Sequence, residues 1–209
     1  MQGKHNTRRK LSSGTPQQIV SARFLIVCEG QTEARYFNRF RVGKKVISVG
    51  GGSPLAVVRK AHQIIQQEGQ DAYSAVWCVF DRDETPNNAG QFVVALNKAH
   101  EHSFNIAYSN PCFEVWYLLH FVTCPAHAFL TCIDCHKQLE FHIGQPYAKD
   151  SRTVEHVNTI CGRYGATAIQ HASQLIEHYR DHDPMIDNPC TTVHKLVTSI
   201  LHALPRATL

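Results

Sequence analysis

The sequence predicts an α/β fold: a parallel four-stranded sheet flanked by helices, followed by a helical C-terminal part. Three observations predict it. Short apolar runs, FLIVC, KVISV, AVWCVF and FNIAY, alternate with amphipathic stretches up to about residue 122. Each run closes on glycine or on acidic and amide residues, the punctuation expected where a strand ends. Beyond residue 122 the strand signals fade while helical periodicity continues. Strands and helices alternating at such short intervals imply parallel crossovers, hence helices on both faces of one sheet.

In chain order, residues 1–21 read as a basic, polar, flexible tail carrying Lys4, Arg8, Arg9 and Lys10; a nucleic-acid arm is the sharper alternative. RFLIVCEG is a buried strand stopped by Gly30. Thr32 is placed to N-cap the next helix, with Glu33 in its first turn and Tyr36, Phe37 and Phe40 on its apolar face. KVISVGGG is the second strand. Ser53 followed by Pro54 starts a helix, a cap with proline at the first helical position, and Gly69 ends it. AVWCVFDRDE is the third strand, followed by a helix over residues 89–102; FNIAYSN is the fourth, and PCFEVWYLLHFV opens another helix. Segments near 126–141, 152–163, 167–181 and 190–203 read as helices. The organisation is thus a tail, an α/β core over 22–122 and a helical extension over 123–209 packed on that core.

The 209 residues suffice to bury a sizeable core, and 43% apolar with 18% charged residues is a globular composition. No apolar run is long enough to cross a bilayer, so no membrane partner is expected. The N-terminus lacks the apolar centre of a secretory signal, so the chain reads as cytoplasmic, and its eight cysteines read as thiols rather than a disulfide framework. The formal charge of +4 permits a polyanionic partner without demanding one.

The informative pattern is acidic. In a parallel α/β sheet, ligands bind outside the carboxyl ends of the strands. The first strand delivers Glu29 there, the third Asp81 and Asp83, the fourth Ser109 and Asn110; Glu33 and Glu114 follow in the first turns of the next helices. Asp81 and Asp83 are two apart, so an extended backbone points both the same way. Acids in a helix's first turn suit the helix dipole, which accounts for Glu33 and Glu114 without any function. Glu29 and the aspartate pair have no such explanation. Carboxylates converging on one edge repel unless a cation sits among them, and a hard divalent ion with oxygen ligands, Mg²⁺ or Mn²⁺, is the natural solution.

CEGQTE followed by VFDRDE resembles the Toprim domain of topoisomerases, primases and related nucleases. More narrowly, CEGQTEARYF, FDRDE, SNPCFEVWYLLHF and NPCTTVHKLV resemble the RloB-like family, whose members accompany restriction and abortive-infection loci of bacteria, over residues 23–203. The resemblance implies a metal-dependent nuclease in phage defence, with a nucleic-acid substrate and a defence-system partner protein; a homo-oligomer stays open. It makes Glu29 a metal ligand or general acid/base and Asp81 and Asp83 the metal pair. Glu33, Ser109 and Glu114 occupy places similar to a second-metal set in related nucleases. One metal would activate water and a second stabilise the leaving oxygen. Lys149 in PYAKD is the first candidate for a lysine against the scissile phosphate and Lys195 the second; a surface lysine is the bland account of each. Arg82, between the aspartates, is a candidate nucleic-acid contact with Lys195, or it pairs with a helix.

Weaker signals carry plainer readings. VGGGSP lacks the Lys-Ser/Thr of a phosphate loop and reads as a tight turn. Cys124, His127, Cys132, Cys135 and His136 have zinc-like spacing, but a helix through the segment would scatter them. His120 and His194 read as hydrogen-bonded structural residues. NPCTTVHKL either caps the last helix or folds back over the acidic edge, with Asn188 and Thr191 or Thr192 as polar contacts. Against the nuclease stand a Toprim-fold regulatory subunit that only binds nucleic acid or a partner, and a small-molecule phosphotransferase or phosphatase with a closed pocket.

Overall fold

The structure is a computed structural model that describes residues 23–83 and 86–204. The basic tail expected at 1–21 lies outside those residues, apart from its boundary with the first strand. Four strands run parallel: β1 (Arg23–Cys28), β2 (Gly43–Ser48), β3 (Ala75–Asp81) and β4 (Asn105–Asn110). Between them run α1 (Gln31–Asn38), α2 (Pro54–Glu68) and α3 (Pro86–Glu101). Then come α4 (Glu114–Leu118), α5 (Cys132–Ile143), α6 (Ser151–Cys161) and α7 (Gly165–Glu177). A two-residue strand β5 (Cys190–Thr191) precedes α8 (Val193–Ala203). The sheet order is β2-β1-β3-β4-β5. No helix among the described residues is long and apolar enough to cross a membrane.

The four-stranded expectation is therefore corrected to five strands. NPCTTVHKL does not simply cap the last helix; Cys190 and Thr191 pair antiparallel with Asn110 and Ser109. A two-residue strand has no periodicity to read, and it forms because β4 leaves an edge of unpaired backbone groups. The pairing is reinforced by side chains. The buried Thr191 hydroxyl donates to the Tyr108 carbonyl at 3.2 Å and meets the Ser109 hydroxyl at 3.0 Å. Thr191→Val keeps the shape but leaves the Ser109 hydroxyl without this partner, while the Tyr108 carbonyl keeps the Thr192 N–H at 2.8 Å. It is expected to cost about 1–3 kcal/mol, read as a lower urea midpoint at unchanged m-value.

The core follows from the apolar runs. Leu25, Ile26, Val27 and Cys28 are all fully buried, as a central strand covered on both faces requires. α1 starts one residue before the predicted cap: Gly30 is the N-cap and Thr32 is buried inside the helix. Tyr36 sits edge-on against Phe113, Trp116 and Tyr117 with ring centroids 5.6, 6.1 and 5.8 Å away, joining α1 to the α4 region. The helical part locks onto this cluster. Tyr117 donates to Asn158 Oδ1 at 3.0 Å, and Arg39, lying over the Tyr36 ring at 4.1 Å, donates to the Asn158 carbonyl at 3.0 Å.

Candidate acidic centre

The carboxyl ends of β1, β3 and β4 lie at one edge, and the predicted acids gather there. Glu29 directly follows β1; its backbone N–H bonds to Val79, and its Oε2 accepts the Asp81 N–H at 3.3 Å. Asp81 ends β3 and sits in register with Ser109. β3 ends before Asp83, which has a left-handed φ of 52° and donates its N–H to Pro111. The two-residue alternation that would point both aspartates the same way thus does not extend to Asp83. The three glycines after β2, with φ of 82°, 95° and 136°, form the tight turn expected of them. Gly51 donates to the Glu29 carbonyl at 2.8 Å, which fixes the strand end.

Glu33 folds back over the start of α1. A Cβ on Gly30 would come within 2.7 Å of Glu33 Oε2, so a larger residue there would push the carboxylate aside. That oxygen is buried and has no hydrogen-bond partner. Glu114 is fully buried; its Oε1 accepts from Tyr147 at 2.7 Å and from Lys149 Nζ at 3.2 Å. Lys149 comes from the α5–α6 connection, so the helical part supplies a cation to the sheet edge.

The electrostatics reflect this crowding. Burial pushes Glu29 up to about 7, with Glu33 and Asp83 adding to the rise and the Asp81 N–H and Lys149 opposing it. Burial likewise lifts Glu33 to about 7, helped by Glu114. Asp81 is raised well above the usual range by burial, then by Glu33 and Glu114. Glu114 goes the other way. Burial alone would raise it, but His136, Lys149 and Tyr147 outweigh that and hold it near 2. Lys149 is raised: burial opposes its charge, and Glu114 and Asp81 more than compensate. An orphaned buried oxygen beside three carboxyls held above their usual range makes an all-oxygen donor set of the kind that fits a hard divalent ion.

Other predicted site residues are placed elsewhere. The Ser109 hydroxyl lies 3.0 Å from the Thr191 hydroxyl, which ties β5 to β4. Arg82 donates to the Asp83 carbonyl at 2.6 Å. Lys195 is exposed on α8 and lines a separate cavity of about 310 Å³ with Leu96, Tyr108, His182 and Thr192. His120 and His194 accept structural roles through the Trp116 and Thr191 carbonyls, and burial lowers both to about 4. Asn188 donates to the Leu130 carbonyl, tying the returning segment to the α4–α5 connection.

Sequence reasoning misses Tyr147 and the surroundings of Glu114. Among the described residues, Cys112, Glu114 and His136 bring ligand atoms within 4.8 Å of one another and could hold a metal ion. The sheet-edge acids by themselves do not form such a set. Cys-x-Glu over 112–114 was legible as a spacing, but nothing local ties it to His136.

The fold and the site define a class: an α/β protein whose mostly parallel sheet gathers buried carboxylates at its carboxyl edge. A family model described as RloB-like protein matches residues 24–200, and the chain belongs to the RloB-like family. No curated protein and no solved structure matches it.

Proposed function

We propose that this chain is a metal-dependent phosphodiesterase of Toprim type, a nuclease cleaving DNA or RNA with Mg²⁺ or Mn²⁺ in bacterial phage defence. The observation that carries this reading is the convergence of Glu29, Glu33, Asp81 and Glu114 around the Lys149 ammonium. Acids gathered at this cost in repulsion and desolvation suit a site that takes up a cation. Glu29 and Asp81, with Asp83, would hold it, and Glu33 offers its unpartnered oxygen. Bound there, the ion supplies a polarised water and neutralises charge on a phosphodiester. In the metal-free chain Glu29 sits near 7, and a bound cation would hold it ionised as a ligand. Lys149, with half its side chain exposed, reaches solvent where a phosphate oxygen would lie.

The test is incubation of the purified protein with Mg²⁺ or Mn²⁺ and a panel of single- and double-stranded DNA and RNA. Cleavage that chelator stops is expected. Lys149→Ala should cut turnover by roughly 10²–10³-fold, the size of effect seen when a positioned electrostatic donor is removed. Rates within a few-fold of wild type would remove Lys149 from the mechanism.

A second reading is a binding or regulatory subunit of the same fold without cleavage. One observation favours it: the sheet-edge acids do not close to within 4.8 Å as a set among the described residues. Tight nucleic-acid binding with no cleavage of any substrate would select it.

A further inference from the structure

Glu114 has two differently occupied oxygens. Oε1 belongs to the acidic centre through Tyr147 and Lys149. Oε2 lies 3.7 Å from His136 Nε2, and both atoms are buried without a hydrogen-bond partner. Glu114 itself is fully buried, so this is an orphaned acceptor aimed at a ring nitrogen that is itself unsatisfied. The Cys112 thiol completes a trio within 4.8 Å and interacts in turn with the thiols of Cys132 and Cys135.

The local fold brings these donors together for identifiable reasons. α5 opens with a capping box, in which Asp134 N–H donates to the Thr131 hydroxyl at 3.1 Å and Thr131 N–H to the Asp134 carboxylate at 3.0 Å. The box fixes the first turns, so Cys132, Cys135 and His136, at i, i+3 and i+4, share one helical face. That face packs on the turn between β4 and α4, where Cys112 and Glu114 stand two residues apart. The sequence spacing suggested Cys124 and His127 as partners for this face. Instead His127 packs edge-on against Tyr179, at 4.8 Å between centroids, and neither residue joins the group.

We propose that Cys112, Cys135, His136 and Glu114, with Cys132 beside them, form a zinc site distinct in chemistry from the acidic centre. Mixed sulfur, nitrogen and carboxylate donors select a borderline-soft ion over Mg²⁺. Tetrahedral zinc holds its ligand atoms about 3.5 Å apart, so drawing in the Cys112, Glu114 and His136 atoms, now within 4.8 Å, needs side-chain shifts of about 1 Å, and Cys135, outside that trio, must move to join them. The thiols bind as thiolates and release their protons to solvent. The ion ties α5 to the β4–α4 turn and holds the carboxylate that Lys149 reaches. This inference does not rest on the nuclease reading.

The experiment uses the full chain expressed with zinc supplied, dialysed, and analysed for metal by mass spectrometry. About one zinc per chain is expected. After chelation under reducing conditions, added Co²⁺ should give a thiolate-to-cobalt charge-transfer band, which an ion bound only by the sheet-edge acids cannot produce. His136→Asn and Cys135→Ser should each lose the zinc and weaken the band, while Cys124→Ser keeps both. Cys135 is fully buried and its variant risks misfolding; His136, with 31% of its side chain exposed, keeps the test decisive. Zinc well below one equivalent together with no cobalt–thiolate band in the wild type would overturn the site. So would unchanged zinc content in His136→Asn.

Discussion

Asp81→Ala is expected to lose metal-dependent cleavage by roughly 10³-fold or more, while the melting temperature without metal holds or rises. The two outcomes share one cause. Asp81 is raised by burial and by the neighbouring Glu33, Glu114 and Glu29, so in the empty site its charge opposes folding. A carboxyl whose folded pKa lies above its unfolded one stabilises the protein at low pH and loses that contribution as pH rises. At neutral pH, removing it relieves repulsion. The backbone around it stays held, because the strand pairing with Ser109 and the Arg82 N–H bond to the Ser109 carbonyl use no side chain. Asp83→Ala added to Asp81→Ala should cost some stability, because alanine tolerates the left-handed backbone at φ 52° less well than aspartate does. A double variant that cleaves at the wild-type rate would end the assignment of the sheet edge as the active centre.

Glu29→Gln is expected to remove activity outright, whereas Glu33→Gln weakens it and recovers in part at high Mn²⁺. Glu29 touches the Asp81 backbone and shares its field with Asp83, Glu33 and Lys149; Glu33 sits deeper, over Gly30. Titration calorimetry on the two variants separates a lost ligand from a lost helix-start acid, which would cost at most about 1 kcal/mol of stability and no metal affinity. The metal-free protein carries its own signature. Glu29 and Glu33 rise from 4.5 to about 7 on folding, so the folded chain binds more protons across that window. The glutamate contribution to stability should fall as pH rises from about 4.5 to about 7 and level off above, while His120 and His194, lowered from 6.5 to about 4, contribute the opposite slope between those values, so the glutamate share is read as the difference between wild type and variant. Each glutamine variant flattens its share of that slope in pH-dependent melting. Wild-type metal affinity in Glu29→Gln would mean that the strand-end glutamate is not a ligand, and the binding-subunit reading would then be preferred.

Much of this centre is legible in the sequence because its residues sit where local signals end. Glu29, Asp81 and Ser109 each close an apolar run, and Glu33 and Glu114 each fall in the first turn of the helix that follows. Strand ends of a parallel sheet share an edge, so these positions converge once the α/β pattern is recognised. The local geometry of Asp83 is not legible, because a residue past the strand end follows the turn and not the pleat. Lys149 is visible as a candidate, but its place beside Glu114 depends on how the α5–α6 connection packs.

The sequence alone determined the four parallel strands, the glycine turn after β2, the helices between the strands and the acidic edge. Hydrophobic periodicity and Gly/Pro punctuation act over a few residues and need no tertiary partner to be read. The tertiary structure alone decided β5, the pairing of Ser109 with Thr191, and the meeting of Cys112 and Glu114 with His136. These depend on contacts between segments far apart in the chain. A two-residue strand exists only because β4 offers an open edge, and a histidine becomes a neighbour of Glu114 only because a capped helix lays its first turns on the β4–α4 turn.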